Sequence, residues 1–140
     1  MRKNLKTILS NIKICYTLTI PEEIALEKII KDYLKYGFIV RSKSEAGHPI
    51  LFAPKDKGEL RMCIDLRKLN EITIRDSYPM PLTTVIFNIA PGHKYYSKLD
   101  LRSAYFQIRI RSGDEYKTAF VCSLGHFEFR VILFGFKKMV

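Results

Sequence analysis

Apolar positions first recur with a helical period between residues 22 and 36. Leu26, Ile29, Ile30, Tyr33 and Leu34 fall at i, i+3, i+4, i+7 and i+8, one stripe on a 3.6-residue repeat. Pro21 presets the first turn, Glu22 and Glu23 lie at the positive end of the helix dipole, and Gly37 supplies a stop. The pattern predicts an amphipathic helix over 22–36. Phe38-Ile39-Val40 then reads as a short strand, and residues 42–47 as a polar loop. Two apolar runs follow, Ile50-Leu51-Phe52-Ala53 and Leu60-Arg61-Met62-Cys63-Ile64, with the turn formers Lys55-Asp56-Lys57-Gly58 between them. They predict a β-hairpin. Its returning strand alternates Leu60, Met62 and Ile64 against Arg61, Cys63 and Asp65, so one face is apolar and the other carries charge.

Further along, residues 66–70 read as a single helical turn. Tyr78-Pro79-Met80-Pro81 reads as an extended connector, because each proline moves the residue before it out of the helical region. Residues 82–90 form a short helix ended by Pro91-Gly92. Residues 95–101 read as a strand, 102–105 as a turn, and 107–110 as a strand with Ile108 and Ile110 on one face. Two last strands, 118–122 and 127–132, flank the hairpin turn Ser123-Leu124-Gly125-His126. The order β–β–α then α–β–β–β implies an α+β fold with a largely antiparallel sheet. Residues 1–13 carry Arg2, Lys3, Lys6 and Lys13 with no acid and no clean period. They read as a basic, poorly ordered leader reaching to residue 16, before a single domain over 17–140.

Composition narrows the class. At 140 residues the chain has room for one domain, and 47% hydrophobic residues, with nine Phe and eight Tyr, exclude disorder as its main description. Lys and Arg number 24 against 14 Asp and Glu, a net charge of +10. Such an excess suits a polyanion such as nucleic acid, although a basic surface also serves solubility alone. The three cysteines, Cys15, Cys63 and Cys122, are odd in number and form no C-x-x-C pair. That argues against a disulfide framework or a cysteine zinc site and for a reducing, intracellular setting. Asn11 and Lys13 interrupt the N-terminal apolar run, so it does not read as a signal peptide. No stretch approaches the ~18 apolar residues that cross a membrane. Phosphate-loop, dinucleotide and nucleophile-elbow motifs are absent.

One carboxylate stands in an informative place. Asp100 ends the run Tyr95-Tyr96-Ser97-Lys98-Leu99 and precedes Leu101-Arg102-Ser103-Ala104-Tyr105. From local features it is either a hard oxygen ligand for a divalent ion or the N-cap of the following turn.

Three stretches, in order and at family spacing, resemble the reverse transcriptases of long-terminal-repeat retrotransposons, the gypsy type in particular, and their retroviral relatives. They are the hairpin and turn Gly58-Glu59-Leu60-Arg61-Met62-Cys63-Ile64-Asp65-Leu66-Arg67-Lys68-Leu69-Asn70, the connector Asp76-Ser77-Tyr78-Pro79-Met80-Pro81, and Tyr95 through Gln107-Ile108, continuing in Lys117-Thr118-Ala119-Phe120 and Gly125-His126-Phe127-Glu128-Phe129. The resemblance implies the fingers and part of the palm of a right-hand polymerase, α+β with mostly antiparallel strands. It implies RNA-directed DNA polymerase chemistry, in which a dNTP is added to an RNA or DNA template-primer by two-metal phosphoryl transfer. Asp100, with the backbone carbonyl of Leu101, would then bind Mg2+, two ions in the complete family enzyme. Tyr105 would lie beneath the incoming sugar and disfavour a 2′-hydroxyl, its alternative being a core aromatic. The backbone of Ser103 and Ala104 would lie near the triphosphate. Lys55 and Arg61 would grip phosphates, their alternative being a solvated hairpin face. Asp65 and Arg67 fit a structural ion pair behind the hairpin, and Phe134 and Gly135 fit the segment that supports template and nucleotide.

The sequence also departs from the family. The hairpin turn is Lys55-Asp56-Lys57-Gly58 where the family has K-K-D-G, Leu133 replaces a proline, and Lys137-Lys138-Met139-Val140 replaces a polar, small, proline-containing segment. The family's Tyr-x-Asp-Asp motif does not occur in these 140 residues. One aspartate against the four charges of two magnesium ions leads to the expectation that this fragment alone is inactive as a polymerase. Two other readings remain: a non-catalytic nucleic-acid-binding remnant, and a protein-interaction module that self-associates through unpaired palm strands.

Overall fold

In a computed structural model of the chain, residues 16–54, 58–74, 82–89 and 91–136 are described. Residues 1–15 of the expected leader, Lys55 of the expected hairpin turn, and the whole proline connector lie outside them. The first helix, α1 (Ile20–Lys35), starts two residues before the periodicity suggested because Thr19 anchors it. The Thr19 backbone N–H and hydroxyl both donate to Glu22 Oε2, at 2.8 and 2.7 Å. These two bonds hold the Glu22 carboxyl below its ordinary pKa. At the other end Gly37 takes φ +70°, a conformation that costs glycine little, and the Phe38 N–H closes back on the Tyr33 carbonyl at 2.9 Å. Leu26 and Ile30, from the predicted stripe, are buried.

Five strands form one sheet: β1 (Ile39–Arg41), β2 (His48–Pro54), β3 (Leu60–Ile64), β4 (Phe120–Cys122) and β5 (Gly125–Phe129), in the order β1-β5-β4-β2-β3. The predicted first hairpin is present, running antiparallel from Ile50 opposite Ile64 to Pro54 opposite Leu60. The second is present too, with Cys122 opposite Gly125. The sheet is mixed, because β2 pairs with β4 in parallel through His48 and Phe120. Short helices α2 (Arg67–Ile72), α3 (Thr83–Ile89) and α4 (Ala104–Gln107) and a 3-10 turn (Glu115–Thr118) complete the order. The core lies where α1 meets the sheet, with Leu26, Ile39, Ile50, Phe120, Phe127 and Phe129 all sealed from solvent. At the hairpin base Arg67 clamps Asp65 through Nε at 2.9 Å and Nη2 at 2.6 Å, the expected structural pair. That clamp lowers the Asp65 pKa.

Several expected strands take other forms. Residues 95–101 form no ladder and stand open to solvent, Tyr95 at 92% and Leu99 at 91% exposure. An extended segment becomes a strand only when another backbone takes up its N–H and C=O groups in a ladder, and the described residues form no ladder with 95–101. The segment 107–110 is reduced to one bridge, Arg109 opposite Val131, because residues 104–107 wind into α4 instead of a plain turn. β5 stops at Phe129 rather than continuing to 132. β4 begins at Phe120, not 118, because residues 115–118 coil into the 3-10 turn. There the Thr118 hydroxyl replaces the missing ladder group. It accepts from the Phe129 N–H at 3.0 Å and donates to the Glu115 carbonyl at 2.7 Å.

Candidate functional site

The outer face of β3 and the N-terminal end of α4 enclose a cavity of about 390 Å3. Arg61, Met62, Cys63 and Ile64 of β3 line it, and α4 with its N-cap brings Ser103, Tyr105 and Phe106. The turn that follows β5 adds Leu133 and Phe134. Beneath it lies an aromatic cluster. Phe106 stacks on Phe38 with ring centres 4.8 Å apart, and Tyr33 meets Phe106 at 5.4 Å and Phe129 at 6.0 Å, edge to face. This cluster locks α4 onto α1 and the sheet, so the residues on either side of Phe106 are carried on a rigid base. Burial, assisted by the nearby Cys63 thiol, raises the Tyr33 pKa and keeps its hydroxyl neutral.

Ser103 enters α4 in the left-handed region, at φ 53° and ψ 43°. A non-glycine residue stores about 1–2 kcal/mol there. The Phe106 N–H bonded to the Ser103 carbonyl at 3.0 Å, and the Gln107 amide donating to the Arg102 carbonyl at 2.7 Å, hold the turn in this form. Tyr105 presents its ring to Phe134 in a near-perpendicular contact, 5.6 Å between centres at 86°. Among the described residues the ion pairs are those of Arg67 with Asp65 and Lys117 with Asp114. The exposed Arg61 guanidinium is therefore not committed to a carboxylate among them.

Of the residues singled out from sequence, Arg61 on β3 meets Ser103 and Tyr105, neighbours at the start of α4, at this cavity although the strand and the helix lie far apart in the chain. Ala104 is half-buried just behind them, while Asp100 and Leu101 are exposed on the approach to α4 and do not line the cavity. Lys55 lies outside the described residues. The capping alternative for Asp100 is not realised, since the N-cap of α4 is Ser103. Among the described residues no three His, Cys, Asp or Glu side chains gather as a metal site. Asp100 is a single hard oxygen donor and does not fit a complete magnesium site by itself. Sequence reasoning missed Tyr33, Cys63 and Phe106 as cavity walls. The alternation of β3 pointed to Cys63, while Tyr33 belonged to a stripe already assigned to the core.

The reverse transcriptase (RNA-dependent DNA polymerase) family matches residues 53–138. The Tf2-3 and Tf2-4 transposon polyproteins of Schizosaccharomyces pombe are 41% identical to this chain over 111 residues, 79% of its length. The chain spans 8% of the length of each of those polyproteins. Among solved structures, the prototype foamy virus protease-reverse transcriptase superposes with a TM-score of 0.74 at 22% identity, covering 89% of this chain and 17% of that one. A foamy viral protease-reverse transcriptase in complex with an RNA/DNA hybrid gives 0.76 at 22% identity, covering 91% and 17%. The fold is the fingers and palm arrangement of those enzymes, and the chain belongs to the reverse transcriptase (RNA-dependent DNA polymerase) family.

Proposed function

We propose that this chain is the nucleotide-facing part of an RNA-directed DNA polymerase of a gypsy-type long-terminal-repeat retrotransposon, and that the cavity between β3 and α4 seats an incoming dNTP. The observation that carries the reading is the meeting at one cavity of Arg61, from β3, with Ser103 and Tyr105, from the start of α4. The exposed Arg61 fork, paired with no carboxylate among the described residues, suits triphosphate oxygens, and Lys55 would add a point charge. The backbone at Ser103 and Ala104 lies beside the triphosphate, and the Tyr105 ring walls the sugar end against a 2′-hydroxyl. Asp100 and the Leu101 carbonyl would be hard oxygen donors toward Mg2+, which when bound would supply charge neutralisation at the reacting phosphate. A lone carboxylate does not make that site, so the nucleotide seat stands on Arg61, Ser103 and Tyr105.

The excess of ten positive charges supports a nucleic-acid template-primer, as do the foamy viral relatives described in complex with double-stranded DNA and with an RNA/DNA hybrid. In this reading the basic leader over 1–16 adds phosphate contacts to a partial domain over 17–140, and the chain works inside the cell. No helix among the described residues is long and apolar enough to cross a membrane. A titration of the full chain with a fluorescent dTTP, with and without magnesium, tests the seat. Arg61→Ala should weaken binding roughly 10- to 100-fold, the value of a charged hydrogen-bond pair. Tyr105→Ala should narrow the preference for dTTP over the ribonucleotide. Unchanged affinity in Arg61→Ala overturns the seat.

A second reading has its own observation. Leu82, Phe87, Ile89, Tyr95, Leu99 and Leu101 are each at least 66% exposed and belong to one stretch of chain. An apolar surface of this kind favours self-association.

A further inference from the structure

The wall of the cavity formed by Phe134 is open to solvent. Phe134 is 65% exposed, so packing against the core does not hold its ring, yet the ring stands edge-on to Tyr105 at 5.6 Å. What fixes it must act through the backbone on either side. Leu133 is 5% exposed and anchors one flank in the core. The other flank is Gly135, which turns the chain at φ +103°, and its carbonyl accepts a bond from Asn70 Nδ2 at 2.7 Å. Because the acceptor is a carbonyl, the amide nitrogen of Asn70 must face it. Asn70 itself is well placed to act as an anchor. It sits in α2 next to the buried Leu69, and its own N–H is bound to the Leu66 carbonyl at 2.8 Å.

We infer that Asn70 is a positioning residue, whose amide ties the turn over 133–136 to α2 so that Phe134 braces the Tyr105 ring. The bond spans 65 residues of sequence and joins the base of the β2/β3 hairpin to the far wall of the cavity. A short side chain with an N–H donor is required there. An aspartate would set a carboxylate against the Gly135 carbonyl, whereas a histidine ring N–H reaches a similar distance. The consequence for nucleotide binding rests on the seat proposed above, but the bracing itself does not.

The test uses the full chain with Asn70→Asp, Asn70→His, Tyr105→Leu and the double variant Asn70→Asp/Tyr105→Leu. Nuclear Overhauser contacts between the Phe134 and Tyr105 rings, the affinity for fluorescent dTTP and the unfolding midpoint are measured on each. Asn70→Asp should lose the ring contacts and bind dTTP about five- to tenfold more weakly, on the scale of one hydrogen bond. Asn70→His should keep both. The double variant should bind no worse than Tyr105→Leu alone, since Asn70 acts through that ring. Ring contacts that survive in Asn70→Asp, or losses that simply add in the double variant, overturn the inference. Asn70→Ser, too short to reach Gly135 and uncharged, repeats the measurement if Asn70→Asp does not fold. If the unaltered chain binds no dTTP, the nucleotide seat fails while the ring contacts still decide whether Asn70 positions Phe134.

Discussion

Thr118 gives the sharpest stability prediction because its hydroxyl does the work of a missing strand residue. The residue is 2% exposed, and its oxygen accepts from the Phe129 N–H at 3.0 Å while donating to the Glu115 carbonyl at 2.7 Å. Phe129 is itself 1% exposed, and its outward neighbour Arg130 already bonds β1 through the Phe38 carbonyl. The Phe129 N–H therefore faces the β4 side, where the backbone has left the ladder for the 3-10 turn. Thr118→Val keeps the shape and removes the acceptor. An orphaned buried N–H costs about 1–3 kcal/mol, and the lost bond to Glu115 adds about 0.5–1 kcal/mol where water cannot replace it. Extra methyl burial in valine returns part of this, so a net loss of about 2 kcal/mol is expected. For a domain of this size that is a fall of about 5–10 °C in Tm. Thr118→Ser, which keeps the hydroxyl and drops a methyl, should lose only about 1 kcal/mol. Urea unfolding of the three proteins at pH 7.5 decides it. A valine variant as stable as the parent would show that the hydroxyl does not stand in for a ladder bond.

Other substitutions and conditions have equally definite outcomes. His48 is fully buried with Nε2 2.9 Å from the Lys117 carbonyl; burial lowers its pKa, against the pull of the Lys117 and Asp65 backbones and the Asp65 charge, with Lys68 acting with burial. A lowered histidine value means that the unfolded chain binds the extra proton first. Stability is complete above about pH 6.5 and declines as pH falls toward the folded value. Urea midpoints at pH 7.5 and 5.5 should differ in the parent and much less in His48→Gln. Asp65, held low by Arg67, adds a separate loss below its ordinary value of 3.8. At Ser103, φ 53° predicts that Ser103→Val destabilises by about 1–2 kcal/mol, while Ser103→Gly stays near neutral because relief of strain is offset by a freer unfolded chain; a harmless valine would contradict the left-handed turn. The exposed Leu82, Phe87, Ile89, Tyr95, Leu99 and Leu101 predict concentration-dependent sedimentation that Leu99→Lys reduces, and identical behaviour of parent and variant would remove Leu99 from any contact surface.

Elements whose stability is local were legible in the sequence, and those that depend on a distant partner were not. Helix α1 could be read because its stripe, its proline and its glycine stop all lie within 18 residues of one another. The first hairpin could be read because turn residues and alternation agree. By contrast, the parallel pairing of β2 with β4 joins His48 to Phe120, and no local signal announces it. The shortened β4 was hidden for a different reason. Threonine favours strands, and its β-branched side chain reads the same whether its backbone continues the ladder or its hydroxyl replaces it.

The site divides along the same line, and the division explains why a resemblance was needed to find it. Arg61 was visible as the charged face of an alternating strand, yet that pattern fits a solvated hairpin equally well. Tyr105 was visible only as one aromatic among seventeen Phe and Tyr. What distinguishes it is its neighbour Phe106, whose ring is spent on Phe38 and Tyr33, which leaves Tyr105 turned toward the cavity and Phe134. Residues 95–101 mark the opposite limit. Their alternation and β-forming side chains predict a strand, but a strand is a property of a pair, and with Tyr95 and Leu99 almost fully open the pair is not made among the described residues. A polypeptide that supplied a complementary edge would bury these side chains and straighten the approach to Asp100. The segment is therefore where added chain should change the structure most, and protection of the amides over 95–101 from hydrogen exchange is the measurement that reads it.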